Sequence, residues 1–206
     1  MVLDKEKLII LSLSKTSDLS ETYLRYIESE LMGGRGGGRW IANFEIAIRR
    51  FNISMAKKVK IHQKKDLDLL VYGGVRQSGF LLSRAFSYLA SPSYQVACIA
   101  IGLERVSQIN WSSIVKWIRE AQTIMEIMEF EWIWMLFFGK NMVPKPVASK
   151  IERQVQQNMA IIYADIQNKE IIHSDSFIAR RGAKLFHPKN LEKRGFLTKS
   201  SAETTR

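Results

Sequence analysis

Two nearly continuous apolar runs, separated by one amphipathic segment, constrain the fold of this chain most. The runs are residues 94–103 and 132–138, and each is as apolar as a strand covered on both faces of a sheet. Between them, apolar residues recur every three or four positions, which predicts a helix with one buried face. They are Trp111, Ile114, Val115, Ile118, Ala121, Met125 and Met128. Strand, helix and strand in this order predict an α/β domain with a mixed, partly parallel central sheet flanked by helices.

The same periodicities predict the elements around this unit. A helix begins at the capping residue Asp18 and stops at Gly33, because a run of glycines follows. Further helices are expected at 41–50, 76–90 and 147–157, and strands at 57–62, 66–72, 159–165 and 171–173. The chain therefore divides into an N-terminal helical segment (1–32), a Gly/Arg loop (33–39), an α/β core (40–175) and a C-terminal tail (176–206).

The positive charge is concentrated in that tail. The whole chain of 206 residues carries 31 Lys and Arg against 20 Asp and Glu, a net charge of +11. Residues 176–206 hold eight of the basic residues and two of the acidic ones, and are expected to be a basic tail that binds a polyanion. The expected contacts to nucleic acid are Arg180, Arg181, Lys184, Lys193 and Arg194. The alternative is a tail that serves solubility alone.

The Gly/Arg loop offers a second site for phosphate. Five of its seven residues are glycine, which lets a backbone approach phosphates closely. Arg35 and Arg39 would donate to phosphate, and Trp40 would stack on a base. A plain linker between two helices is an equally good interpretation, and both can hold at once.

Several classes are excluded or disfavoured. The single cysteine, Cys98, rules out an internal disulfide framework, and the three histidines stand apart without the spacing of a zinc site. The longest apolar stretch has seven residues, whereas a membrane helix needs about 20. We expect a cytoplasmic protein that binds nucleic acid, DNA rather than RNA, and does not enter a membrane. A homodimer is a possible assembly.

Acidic residues on neighbouring strands suggest a cation site. Asp66 and Asp68 are two residues apart, so they share one face of a strand, and Glu104 ends the next interior strand. Carboxylates at the ends of adjacent strands can hold Mg²⁺ and orient water against a phosphodiester. The simpler interpretation is that the two aspartates form exposed ion pairs with Lys64 and Lys65.

The order of these elements resembles that of the restriction-endonuclease-like superfamily, known by its PD-(D/E)XK motif. Residues 65–71 are similar to its first motif, and residues 94–106 with the following helix and strand are similar to its second. The resemblance implies a restriction-endonuclease-like core. It also implies Glu45 as a helix acid, Asp68 as the principal metal ligand and Glu104 as the second, with Asp66 as a substitute.

One departure from this motif decides the expected function. Val106 stands where the family has its lysine, and residues 100–102 carry no charge. We therefore expect a nucleic-acid-binding protein with a degenerate nuclease-like core and no cofactor. One alternative is a working Mg²⁺-dependent DNA endonuclease that takes its lysine from Lys64 or Lys65. The other is a structural or packaging protein, viral or nucleoid, for which basic charge alone would suffice.

Overall fold

The computed structural model describes residues 19–33, 40–52, 66–77, 93–103, 109–156 and 158–197. The strand predicted at 57–62 lies outside these residues, as do most of the helix predicted at 76–90 and all of residues 198–206.

Within the described residues, six strands form one mixed sheet. They are β1 (Trp40–Asn52), β2 (Asp66–Gln77), β3 (Ser93–Gly102), β4 (Trp132–Gly139), β5 (Met159–Asp165) and β6 (Glu170–His173). The strands lie side by side in sequence order. Antiparallel pairing joins β1 to β2 and β2 to β3, whereas β3, β4 and β5 are parallel and β6 is again antiparallel. The predicted α/β fold with a mixed central sheet is confirmed.

Five helices are described around the sheet. They are α1 (residues 19–32), α2 (Trp111–Met128), α3 (Lys145–Glu152), α4 (Phe177–Leu185) and α5 (Asn190–Lys193). The α2 helix begins where the Asn110 side chain accepts a hydrogen bond from the Ser113 amide at 2.9 Å, and it ends at Glu129, whose φ is 57°. None of the helices described is long and apolar enough to cross a membrane.

The sheet is covered on both faces. Alternate residues of β4 point to opposite sides: Met135 and Phe137 pack under α2 and α3, whereas Trp134, Leu136 and Phe138 pack under α1, α4 and α5. Two cores therefore share one layer of strands. This explains why β3, β4 and β5 read as continuous apolar runs rather than as alternating ones.

The helix predicted at 41–50 is wrong, because these residues belong to β1. Strand pairing shifts register between Phe44 and Ile46, and Arg50 has a φ of 51°. These irregularities break the two-residue alternation, so Phe44 and Ala47, three residues apart, face one core, and Ile48 and Phe51, also three apart, face the other. Apolar residues on both faces of a bulged strand fell by chance at helical spacing.

Residues 176–197 are part of the fold rather than a tail. Ala179, Phe186 and Leu191 are buried against the sheet and α1. The many basic side chains lie on the outer surface of α4 and α5. In the sequence they dominate the composition, so the small apolar face with helical period is difficult to recognise. The helix predicted at 147–157 exists as α3, but it begins and ends earlier.

Candidate functional site

The Asp68 carboxylate has a structural role, because it accepts a hydrogen bond from the backbone. Pairing between β2 and β3 runs from Arg76 opposite Ser93 to Leu69 opposite Ala100. Beyond that pair the Gly102 amide donates to Asp68 Oδ2 at 2.6 Å. A carboxylate thus takes the place of a strand carbonyl, in a charge-assisted hydrogen bond.

Little room is left around this hydrogen bond. A Cβ at position 102 would lie 3.1 Å from the Phe138 ring and 3.3 Å from Asp68 Oδ2. A side chain at position 102 would therefore require the Phe138 ring or Asp68 to shift by a few tenths of an ångström, and glycine avoids this crowding. A charged side chain at this position, as the nuclease motif demands, would not fit without displacing Phe138.

The other acidic candidates do not gather at Asp68 in the described residues. Glu45 is exposed on β1, at the level of Tyr72 and Gly73 of β2. At about 3.3 Å per residue that is roughly 13 Å from Asp68 along the strand. The role of Glu45 as a helix acid in a shared site is therefore wrong. Glu104 and Lys65 lie outside the described residues, as does the side chain of Asp66.

A metal centre does not fit what is described here. Opposite Asp68, β3 presents Ala100, Ile101 and Gly102, none of which has a side-chain ligand for a hard cation. Among the residues described, no group of three or more His, Cys, Asp and Glu could hold a metal ion. The Mg²⁺ that the resemblance implies gains no support from this part of the sheet.

A second region, the α4–α5 face, gathers most of the basic residues predicted to bind nucleic acid. We use this name for the outward side chains of Phe177, Arg180, Arg181, Lys184, Lys189, Lys193 and Arg194. The Arg181 guanidinium lies 5.7 Å from the centre of the Phe177 ring. Arg180 Nη1 is 3.8 Å from Asp175 Oδ1, an exposed pair that leaves both charges in water.

The inner side of α4 fixes this face on the sheet. Ala179, Gly182 and Ala183 are buried, and a Cβ at Gly182 would lie 2.8 Å from the Trp134 indole and 2.6 Å from Ile162. The Trp134 Nε1 donates to the Ile178 carbonyl at 2.8 Å. Close approach and this hydrogen bond together set the position of the helix.

The carboxyl end of α4 is held by α1. The last carbonyls of a helix lack partners within it. Here the Tyr23 hydroxyl donates to the Phe186 carbonyl, and the Tyr26 hydroxyl donates to the Leu185 carbonyl. Burial raises the pKa of Tyr23 well above its usual value and that of Tyr26 to about 12, so both hydroxyls stay protonated donors at neutral pH.

A cleft of about 440 Å³ opens between α1, α4 and α5. Its lining residues are Glu30, Lys184, Leu185, Asn190, Lys193 and Arg194. Glu30 is 3% exposed, and its Oε1 lies 3.0 Å from Arg194 Nε, which orients that guanidinium. The pKa of His187 is lowered by partial burial and then by the charges of Lys189 and Lys193. The lining of the cleft therefore combines three cationic side chains with one carboxylate.

The structure brings together five predicted residues and adds others. Arg180, Arg181, Lys184, Lys193 and Arg194 lie on the α4–α5 face. The loop arginines, Arg35 and Arg39, are outside the described residues, and Trp40 begins β1 with its side chain undescribed. Sequence reasoning missed Phe177 and Glu30. Helical spacing of Phe177 with Arg181 and Lys184 was the signal that could have found the first.

The chain matches no protein-family model, and comparisons with curated proteins and with solved structures give no significant match.

Proposed function

We propose that this protein binds nucleic acid, DNA rather than RNA, through the α4–α5 face, and that its nuclease-like core is degenerate. The observation that carries the proposal is a set of outward cations on helices fixed to the sheet, three of which line one cleft. Phosphate groups of a polyanion are the ligands that such a surface attracts.

The charge balance of this face supports the proposal. Residues 177–194 contain six basic residues and one acidic residue, Glu192. That glutamate pairs with Lys169, which comes from the turn between β5 and β6. Lys184, Lys189 and Lys193 are exposed. Binding a phosphate there releases counterions from the nucleic acid, which supplies most of the free energy of such association.

The order of the elements supports the nuclease-like part. β2 with Asp68, β3, α2 and β4 follow one another as the resemblance implies, whereas strand β1 stands where it implies a helix with Glu45. The degenerate part is supported by Asp68, which bonds to the Gly102 amide beside uncharged residues of β3. No described residue favours a working nuclease. A packaging protein would use the same basic face, and cooperative coating of long DNA would distinguish it.

The test is fluorescence anisotropy with a labelled 20-base-pair DNA duplex across a range of salt concentrations. Lys184→Ala with Lys193→Ala removes two cations of the cleft. Lys116→Ala with Arg119→Ala is the matched control, since these exposed residues of α2 lie across the sheet. We expect the cleft variant to bind more weakly and its salt slope to flatten by roughly 2, about one per lost phosphate contact.

Two results would contradict the proposal. The first is wild-type protein that shows no salt-dependent binding to the duplex. The second is an equal loss in the cleft and control variants, because that would reflect net charge rather than a particular face. An RNA duplex of the same sequence, measured in parallel, tests the preference for DNA.

A further inference from the structure

We infer that Phe177 is a stacking site for an unpaired base, so that the α4–α5 face prefers single-stranded nucleic acid to duplex. The inference rests on the proposed function, and it adds strandedness, which phosphate attraction alone does not determine. It is carried by one exposed aromatic ring and by the charges around that ring.

The exposure of Phe177 is unusual within the described residues. The large apolar side chains that are exposed there are Met32, Ile46, Ile127, Met142, Val155 and Phe177. Phe177 alone among them is aromatic, and it is 57% exposed. Its ring contributes little to the core, because the buried face of α4 is made by Ala179, Gly182 and Ala183. An outward ring is free to contact a ligand.

The local geometry holds this ring at a defined place. Phe177 is the first residue of α4, and the side chain of Ser176 caps the helix by accepting from the Ala179 amide at 3.1 Å. One turn later, the Arg181 guanidinium lies against the ring. A ring presented by a capped helix, with a cation beside it, is already ordered before any base arrives.

The basic residues continue from the ring toward the cleft. Phe177, Arg181 and Lys184 share one side of α4, because they are four and three residues apart. At 1.5 Å per residue, Lys184 lies about 10 Å along the helix from Phe177. Lys184 also lines the cleft with Lys193 and Arg194. A backbone that follows these cations would bring a base to the ring.

Rings interleaved with cations are what single strands require. Bases of a single strand can stack on an aromatic side chain while the backbone follows the cations, and this stacking tolerates any sequence. In an intact duplex the faces of the bases are covered by their neighbours, so the Phe177 ring has no base face on which to stack. Two neighbours of Phe177, Arg180 and Arg181, are cations that attract phosphate, which favours a nucleic acid as the partner.

The experiment compares three labelled DNA probes by anisotropy at one salt concentration. They are a twelve-residue oligothymidine, the same strand with abasic sites in place of all internal bases, and a hairpin duplex. The variants are Phe177→Leu, which removes the ring and keeps an apolar side chain, and Phe177→Trp, which keeps a ring. Ile127→Ala on α2 is the control for an exposed apolar residue elsewhere.

We expect wild-type protein to bind oligothymidine more tightly than the abasic strand and the hairpin duplex, and Phe177→Leu to lose about fivefold to a hundredfold of the affinity for oligothymidine. Phe177→Leu should bind the abasic strand and the duplex as wild type does. Phe177→Trp should retain the preference, and Ile127→Ala should change nothing.

Each contrary result has a distinct meaning. If Phe177→Leu binds oligothymidine as tightly as wild type does, the stacking site is overturned while the proposed function stands. The same conclusion follows if wild type binds the abasic strand equally well. If wild type binds none of the three probes, the proposed function fails and this inference fails with it.

Discussion

Charge predicts a binding role for both Asp68 and the α4–α5 face. In the folded protein the two regions differ, because Asp68 bonds to the backbone and the basic face is open to solvent. Pairing between β2 and β3 ends next to Asp68. There the Asp68 carboxylate accepts a hydrogen bond from the Gly102 amide, in place of a β2 carbonyl. Lys184 and Lys193 are exposed on the outer surface of α4 and α5, so their ammonium groups reach solvent. The comparison shows that a charged side chain beside an unpaired backbone group can be used to bond that group rather than a ligand.

The largest expected effect comes from the attachment of α4 to the sheet. Gly182→Ala should lower the free energy of unfolding by about 2–3 kcal/mol, because the new methyl group overlaps the Trp134 indole. This cost exceeds the gain of roughly 1 kcal/mol that alanine has over glycine in a helix. Urea denaturation measures the loss.

Gly74→Ala provides the control for this substitution. A Cβ at position 74 meets no atom within 4 Å, so the same chemical change should alter stability by less than about 0.5 kcal/mol. Equal stability of the two variants would show that α4 is not held by close contact with Trp134. The basic face would then lack the fixed support that the comparison assigns to it.

A smaller effect is expected at Asp68. Asp68→Ala should cost about 1–2 kcal/mol, since it removes the acceptor of the Gly102 amide, and Asp68→Asn should recover part of it. Neither variant should weaken DNA binding. Denaturation and anisotropy on the same preparations separate these outcomes.

The same variants test for catalysis. We expect no cleavage of DNA or RNA by wild-type protein with Mg²⁺ or Mn²⁺, because uncharged residues stand beside Asp68 on β3. Robust cleavage that Asp68→Asn abolishes would contradict this and would make Asp68 a catalytic residue. The contrast between the two regions would then have to be abandoned.

The smallest expected effect is at His187. Because its pKa is lowered in the folded protein, neutral His187 is favoured, and its contribution to stability is present above pH about 6.5 and lost as the pH falls below that value. Bound phosphates would offset the charges of Lys189 and Lys193. We therefore expect oligothymidine to raise the pKa of His187, as measured by NMR titration of its ring.

A control variant sharpens this titration. Lys189→Ala with Lys193→Ala should raise the pKa of His187 in the free protein and reduce the response to oligothymidine. If the pKa does not move although anisotropy reports binding by wild type, the nucleic acid contacts another surface.

How far the sequence predicts the fold depends on the kind of signal each region carries. Strands β3, β4 and β5 are covered on both faces, so their apolar runs were unambiguous. In β1, the register shift after Phe44 and the positive φ at Arg50 erased the strand period. No pattern along the chain records such local irregularities before the strand is paired.

The candidate site shows a similar limit. The basic residues of α4 and α5 were predicted as a group, because composition alone reveals them. The contacts that fix α4 to the sheet could not be predicted. Gly182 allows close approach to Trp134, which is far away in the chain. The partner of Asp68 is likewise 34 residues away, at an amide that any residue type could supply. Contacts of this kind depend on tertiary structure.

The bonds between α1 and the end of α4 also order events during synthesis. Tyr23 and Phe186 are 163 residues apart, and Tyr26 and Leu185 are 159 apart. The α1 helix leaves the ribosome long before the Leu185 and Phe186 carbonyls have been synthesised, so this face of Tyr23 and Tyr26 stays uncovered until α4 follows. Contacts that close so long a loop form late. A nascent chain that stalls before α4 therefore exposes an apolar surface that chaperones can bind.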